Sequence, residues 1–341
     1  MPTTAPVIEC RGVGKHYRTQ VRGEGAFGIL RGFFGRRVRE HVALTNIELV
    51  VGAGELIGLI GANGAGKTTL VKCLTGIVPV SQGRCTLFGR DAFHLTRAEK
   101  RRLSLVMGQR SQLWWDIPAI DSFRLLREIY QVDARRFDER VREQAERLGV
   151  TDRLQVQLRQ LSLGERMKME IIGAFLHDPD VVFLDEPTIG LDLLSQEVIR
   201  SFLRDVNRER GTTVILTSHD MADIEETCDR LVILEGGRVL FDGDLVDLRR
   251  RFVGRRAVEV HLEPGSRPWS VELAGDLARH GASLVREAPR ALTFEVPAEN
   301  CQRFIQHLFD LFQVRDLAVE RQPLENLIRE IFRSGELERQ P

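Results

Sequence analysis

A glycine-rich stretch at residues 61–69, Gly-Ala-Asn-Gly-Ala-Gly-Lys-Thr-Thr, constrains the fold more than any other part of the chain. It fits the pattern G-x-x-x-x-G-K-[ST], which needs a strand before it and a helix after it. The short apolar run at residues 56–60 predicts a buried strand, and residues 69–76 predict a helix that ends at a glycine. The sequence therefore predicts a phosphate-binding loop rather than an ordinary glycine turn before a helix.

The residue types within this loop match the chemistry of a polyphosphate. Glycines let the backbone wrap a phosphate without Cβ clashes, and free N–H groups with the helix dipole hold the anion. Lys67 is expected to reach the β- and γ-phosphates, Thr68 to ligate Mg²⁺, and Thr69 to add a phosphate contact. The predicted nucleotide-binding residues of the loop are Gly61, Asn63, Gly64, Ala65, Gly66, Lys67, Thr68 and Thr69.

Length and composition limit the other classes of function. A chain of 341 residues suggests about two domains at ~150 residues each, and the net charge of zero gives no electrostatic argument for a nucleic-acid partner. Five scattered cysteines without C-x-x-C spacing predict a reducing compartment and no zinc framework. No apolar run reaches ~18 residues, and the N-terminus lacks a secretory pattern. We therefore expect a cytoplasmic protein without a membrane span.

Two adjacent carboxylates, Asp185 and Glu186, follow a continuous apolar run at residues 181–184. Such a run predicts a buried parallel strand, and paired carboxylates at its end are costly without a cation or a catalytic task. We expect Asp185 to hold Mg²⁺ through water and Glu186 to orient or deprotonate a water. The alternative, a simple solvated strand end, is disfavoured by the phosphate loop.

Further polar side chains follow two other predicted strands. His219 comes after the strand at residues 212–217, at a carboxyl end where open α/β sheets gather ligands, so it is predicted to bond a γ-phosphate. Gln109 comes after the strand at residues 103–107 and is predicted to reach Mg²⁺ and the attacking water. Gln112 remains the alternative to Gln109.

Tyr17 follows the opening strand predicted at residues 7–11. Its ring could stack on a base, because every base has a π-face. The alternative is a tyrosine on an exposed sheet. The phosphate loop downstream favours stacking on adenine.

A second anion site is predicted where a helix begins after Leu161 and continues through Phe175. Ser162 and Glu165 have the spacing of a capping box, which alone would explain both residues. The functional interpretation is that Ser162, the N–H of Gly164 and the positive end of the helix bind an anion.

Three stretches carry no catalytic pattern. Residues 19–41 mix apolar side chains with arginines, which favours a solvated insertion in a hairpin over a membrane- or partner-binding surface. Trp114 and Trp115 could anchor a partner or belong to the core. From about residue 254, short strands and helices alternate in the manner of a small α+β domain.

The order of these motifs resembles the ATP-binding cassette (ABC) family of ATPases over about residues 7–252. The matching parts are the phosphate loop, Gln109, the helix start at residues 161–165, the Asp185-Glu186 strand end, Asp192 and His219. The helix start departs from the family's L-S-G-G-Q at Leu163 and Glu165, whereas Ser162 and Gly164 remain. The spelling of residues 108–116 and 161–168 resembles bacterial exporters of the drug-resistance type.

The resemblance implies an α/β fold with a P-loop NTPase core, a helical subdomain at about residues 109–178 and an antiparallel β subdomain. The ATP-binding domain would occupy residues 1–252, and a small α+β accessory domain residues 253–341. Head-to-tail pairing of two cassettes around two ATP molecules is also implied. Ser162 and Gly164 of one chain would then face the γ-phosphate on Lys67 of the other, and Asp192 would bridge the subunits.

The function implied is that of an ATPase subunit in an exporter, acting with a separate membrane permease. The cofactors would be ATP and Mg²⁺. The protein would be peripheral on the cytoplasmic face of the plasma (inner) membrane, as a homodimer or a paired cassette. The alternative is a soluble ABC-type ATPase of the ribosome or DNA, which one phosphate loop and the lack of a heptad run between Lys67 and Leu161 disfavour.

Overall fold

The structure is a computed structural model. It describes residues 6–21, 37–108, 111–218, 220–252, 255–267, 269–321 and 328. The chain divides between Gly243 and Asp244 into two units, which are described separately. The domain boundary that the sequence places after residue 252 stays a prediction. Most of the 19–41 insertion, residues 22–36, lies outside the described residues.

The first unit consists of two sheets and the helices around them. Its strands are β1 (Ile8–Val21), β2 (Arg37–Val51), β3 (Leu56–Gly61), β4 (Gln82–Leu87), β5 (Arg90–Asp91), β6 (Leu103–Met107), β7 (Val181–Asp185), β8 (Thr213–Thr217), β9 (Arg230–Glu235) and β10 (Arg238–Asp244). Its helices are α1 (Lys67–Leu74), α2 (Arg97–Lys100), α3 (Ala119–Tyr130), α4 (Ala134–Arg147), α5 (Leu163–Phe175), α6 (Leu193–Arg210) and α7 (Met221–Thr227).

The larger sheet determines where the site lies. Its strand order is β10-β9-β3-β8-β7-β6, and the strands from β9 to β6 pair in parallel. Residues along β3, β7 and β8 are almost continuously buried, which matches the uninterrupted apolar runs in the sequence. Because parallel strands end at the same edge, the loops after β3, β8, β7 and β6 converge there.

The smaller sheet is antiparallel, with the order β2-β1-β4-β5. Helix α1, which follows the phosphate loop, packs between this sheet and the larger one. Its buried side chains Leu70, Val71 and Leu74 belong to the same apolar cluster as Leu44 of β2 and Phe183 of β7. Truncating one of these leucines to alanine typically costs about 2–5 kcal/mol, so the position of the loop depends on this core.

The region between β6 and β7 is helical, as the sequence predicts. Helix α4 begins after Asp133, whose side chain accepts hydrogen bonds from two backbone N–H groups of the first turn. Its buried residues Phe137, Val141 and Ala145 recur every four positions, which gives the helix one apolar face. Phe123 of α3 and Phe175 of α5 are also fully buried.

The second unit contains α8 (Leu245–Phe252), β11 (Arg255–Leu262), α9 (Val271–Ala278), β12 (Ser283–Ala288), β13 (Ala291–Pro297), α10 (Cys301–Leu311) and β14 (Val314–Arg321). From β11 onward the order is β-α-β-β-α-β, and the antiparallel sheet runs β12-β13-β11-β14. This is a split βαβ arrangement, which belongs to the α+β class. Across the described ranges, no helix is long and apolar enough to cross a membrane.

Candidate nucleotide-binding and hydrolysis site

The glycine loop and α1 form the first part of the site. Gly66 has φ 107° and caps α1, and a Cβ added there would lie 2.8 Å from the carbonyl oxygen of Ala43, so only glycine fits. The buried Lys67 donates hydrogen bonds through Nζ to the carbonyl oxygens of Gly61 (2.7 Å) and Ala62 (3.3 Å). These bonds hold the ammonium group of Lys67 against the backbone of the loop.

An open cleft of about 740 Å³ lies in front of this loop. That volume falls within the range usual for small-molecule and cofactor sites. The predicted site residues that line it are Asn63, Gly64, Gly66, Lys67, Thr68, Thr69, Asp185 and Glu186. The sequence did not single out the other lining residues, which are His41, Ala43, Lys72, Met107, Gly108 and Ile189.

The end of β7 brings a carboxylate to a hydroxyl of α1. Asp185 accepts a hydrogen bond from Thr68 Oγ1 at 3.2 Å through Oδ2, and from Thr217 Oγ1 at 2.7 Å through Oδ1. Mg²⁺ prefers hard oxygen ligands and is commonly held by one or two protein groups together with phosphates and water. The Thr68 hydroxyl and the Asp185 carboxylate therefore fit a Mg²⁺ site beside the phosphate loop.

Glu186 occupies an unusual backbone conformation. Its φ of 56° lies in the left-handed region, which costs a residue with a side chain about 1–3 kcal/mol. Its N–H donates to Oγ1 (3.0 Å) and to the carbonyl oxygen (3.1 Å) of Thr217. The chain thus turns sharply after Asp185, and Glu186 becomes part of the cleft wall.

Tyr17 is not among the residues that line the cleft, although its neighbour on β2 is. It pairs with His41 directly across β1 and β2, and residues directly opposite on an antiparallel pair share a face. His41 lines the cleft, whereas Nζ of Lys15 lies 5.1 Å from the centroid of the Tyr17 ring. Adenine stacking on Tyr17 stays a prediction.

The capping box at the start of α5 is formed. Ser162 Oγ accepts the N–H of Glu165 at 3.2 Å, and Glu165 Oε2 accepts the N–H of Ser162 at 2.9 Å. The hydrogen bond from the Ser162 N–H, opposed by partial burial and aided by Arg153, lowers the pKa of Glu165. Ser162 is nevertheless exposed, so the capping box leaves this end of the helix accessible to solvent.

The starts of α5 and α6 pack closely against each other. A Cβ added to Gly164 would lie 2.6 Å from Ser195 Oγ and 3.4 Å from Asp192 Oδ2. Asp192 caps α6 by accepting the N–H (2.9 Å) and the hydroxyl (2.8 Å) of Ser195, and these bonds lower the pKa of Asp192. Apart from Tyr17, the predicted residues that the structure describes thus form two groups: the first lines the cleft or belongs to its phosphate loop, and the second, Ser162, Gly164 and Asp192, does neither.

Comparison with known proteins gives the family. A family model described as ABC transporter matches residues 44–189. The ABC transporter ATP-binding protein NatA of Bacillus subtilis is 30% identical over 206 residues, which cover 60% of this chain and 83% of NatA. The chain belongs to the ABC transporter ATP-binding protein family.

Other relatives of this ABC protein include an import protein and a drug-resistance protein. The methionine import protein MetN of Geobacillus kaustophilus is 31% identical over 65% of this chain and 67% of its own length. The daunorubicin resistance protein DrrA3 of Streptomyces coeruleorubidus is 31% identical over 70% and 75% respectively. These matches confirm the predicted family, including its relatives of the drug-resistance type.

Solved structures of the family share the fold. The structure of an ATP-binding subunit of an ABC transporter superposes with a TM-score of 0.60 and 26% identity, covering 72% of this chain and 93% of that one. The predicted α/β P-loop core is therefore confirmed. The chain is an ABC ATPase that binds ATP.

Two of the predicted catalytic residues, Gln109 and His219, fall outside the described residues. The alternative, Gln112, donates through its side chain to the carbonyl oxygen of Leu105 and is not among the cleft-lining residues. Trp114 (44%) and Trp115 (48%) are exposed rather than part of the core.

Thr217 is a candidate functional residue that the sequence analysis did not single out. Its side chain is fully buried, and its hydroxyl is bonded to both Asp185 and Glu186. The sequence does show a hydroxyl residue at the last position of β8. It would have indicated a contact with Asp185 only if the pairing of β7 with β8 had been known, and the sequence alone does not give that pairing.

Proposed function

We propose that this chain is the ATP-hydrolysing subunit of an ABC exporter. It binds ATP with Mg²⁺ and drives substrate movement through a separate membrane permease, on the cytoplasmic face of the plasma membrane. One observation supports ATP hydrolysis: Lys67, Thr68, Asp185 and Glu186 all line the same cleft. The resemblance of residues 108–116 and 161–168 to bacterial exporters of the drug-resistance type supports the direction of transport.

The proposed mechanism is positioning and charge stabilisation, as in other phosphoryl transfers. Lys67 holds the β- and γ-phosphates on the glycine loop. Thr68 and Asp185 would hold Mg²⁺, which supplies positive charge to the phosphate oxygens. Glu186 polarises the attacking water, and the sequence adds Gln109 at the water and His219 at the γ-phosphate.

The second group of residues supports pairing of two chains. Ser162 is exposed and lies outside the lining of its own chain's cleft, so its anion-binding role needs another nucleotide. Beside it, Leu193 (80%) and Leu194 (75%) are exposed apolar side chains at the start of α6. A second copy that brings Lys67 to Ser162 would cover this surface. ATP would then lie between the two chains, with Asp192 at the subunit contact.

Mixed dimers test this pairing. Ser162→Asp keeps a good N-cap but places a carboxylate against the γ-phosphate, and Lys67→Ala removes the phosphate-binding cation. Each variant alone is expected to lack ATPase activity. An equimolar mixture, unfolded and refolded together, is expected to recover about a quarter of wild-type activity, because half the dimers are mixed and each keeps one complete site.

The control for the mixed-dimer experiment is thermal unfolding of each variant, which should match the wild type within a few degrees. A mixture that stays inactive, or a Ser162→Asp variant that hydrolyses ATP alone, would contradict the proposed pairing. Steady-state phosphate release is the measurement in every case.

The permease is tested by co-purification. The full chain, carrying an affinity tag, is expected to retain a multi-span membrane protein encoded next to it when both are expressed together and solubilised in mild detergent. ATP turnover of the pair should exceed that of the chain alone. If the chain is recovered only in the fraction without membranes and retains no membrane protein, the proposed transporter role is contradicted.

A further inference from the structure

Asp223 of α7 is a buried carboxylate that the proposed mechanism does not use. Its side chain is only 1% exposed. Arg200 binds Oδ1, with Nε at 2.8 Å and Nη2 at 2.7 Å. Oδ2 accepts hydrogen bonds from two hydroxyls, those of Thr188 and of Ser218 (2.9 Å). Both oxygens of the carboxylate thus act as acceptors, one for the guanidinium and the other for the two hydroxyls.

The two hydroxyls come from different loops at the edge of the larger sheet. Thr188 lies two residues after Glu186, beyond the end of β7. Ser218 lies one residue after Thr217, at the end of β8. Both side chains are almost completely buried. A single oxygen of Asp223 therefore ties the segment after Glu186 to the neighbouring strand end.

The left-handed conformation of Glu186 needs such a tie. On its N-terminal side, Glu186 is held by Thr217, through the hydrogen bonds from the Glu186 N–H. On its C-terminal side, the nearest buried side-chain bond is the one from Thr188 to Asp223. A residue in a costly backbone conformation persists only where the surrounding structure holds it there.

We propose that Asp223 is a positioning residue for ATP hydrolysis. It holds the loop after β7 against the end of β8 and so keeps the Glu186 carboxylate in the cleft. The proposal rests on the proposed role of Glu186 in polarising water. Positioning dominates phosphoryl transfer, and a shift of about 1 Å at the reacting groups can cost 10²-fold in rate.

Because Arg200 binds one oxygen of Asp223 and the hydroxyls bind the other, one hydroxyl can be removed without breaking the buried ion pair. Thr188→Val removes one hydroxyl with little change in volume and leaves Arg200 on Oδ1. We expect kcat for ATP to fall about tenfold or more, because Glu186 loses its C-terminal support. The KM for ATP should change by no more than about threefold, because Lys67 and Thr68 are untouched.

Two matched variants complete the experiment on the full chain with its membrane partner. Thr188→Ser restores a hydroxyl and is expected to recover most of the wild-type kcat. Glu226→Gln alters the half-exposed partner at the other end of Arg200 (2.7 Å) without touching Asp223, and should leave kcat unchanged. Thermal unfolding of all three variants shows whether stability alone has changed.

The outcomes separate this inference from the proposed function. A loss of kcat at constant KM in Thr188→Val, with rescue by serine, supports positioning. The proposal is overturned if Thr188→Val keeps the wild-type kcat. It is also overturned if kcat falls only together with the ATP affinity and the melting temperature. Glu186→Gln is measured beside them: if it still turns over ATP, the role of Glu186 fails, whatever Thr188→Val does.

Discussion

Glu186→Gln is expected to lower ATP turnover by about 100-fold or more while ATP still binds. The amide has the shape of the carboxylate but cannot accept a proton from water. The backbone of the residue is held by its own N–H, which donates to Thr217, so the substitution leaves the turn intact. Because hydrolysis would no longer open the paired chains, ATP should also increase the fraction of dimer.

Three measurements check this result: phosphate release, equilibrium binding of a fluorescent ATP analogue, and size-exclusion chromatography with and without ATP. Glu225→Gln, a change at a half-buried residue of α7 outside the cleft lining, is the matched control and should behave as the wild type. Undiminished turnover in Glu186→Gln would remove this residue from the mechanism. Loss of ATP binding would instead indicate damage to the loop.

Lys67→Ala is expected to weaken ATP binding by about 10- to 100-fold. The ammonium is a charged donor, and such hydrogen bonds are worth about 1.5–3 kcal/mol, with about 1.4 kcal/mol for each factor of ten. The substitution also leaves the carbonyl oxygens of Gly61 and Ala62 without the donor that they share. The loop should therefore lose both its cation and part of its shape.

Titration with ATP, followed by calorimetry, measures this effect. Lys100→Ala serves as the control, because Lys100 is an exposed lysine at the end of α2. The control should bind ATP as the wild type does. Equal affinities in Lys67→Ala and the wild type would show that the phosphates lie elsewhere.

The cleft was predictable because its chemistry lies in motifs of fixed spacing. Lys67 and Thr68 follow from one motif, and the Asp185-Glu186 pair follows from its place after an apolar strand. The carboxyl ends of parallel strands meet at one edge, so these residues had to converge once the strands were assigned. The network around Asp223 and Thr217 was not predictable, because its bonds join segments whose neighbourhood depends on strand order.

Local details also depended on contacts that the sequence does not display. Helix α6 begins at Leu193, because the Asp192 side chain accepts the Ser195 N–H and acts as the cap. Trp114 and Trp115 have the same apolar character whether they are buried or exposed. In the structure both are about half exposed, and the guanidinium of Arg166 in α5 lies 4.9 Å from the centroid of the Trp115 ring.

The split βαβ unit encloses an interior of its own, in which Val258, Val260, Phe294, Phe304 and Leu308 pack together. This cluster has no residue in common with the one that surrounds α1. Because each cluster is filled by its own side chains, a substitution inside one is expected to leave the packing of the other unchanged. Selection can therefore retune the interior of the C-terminal module while the packing around the phosphate loop stays fixed.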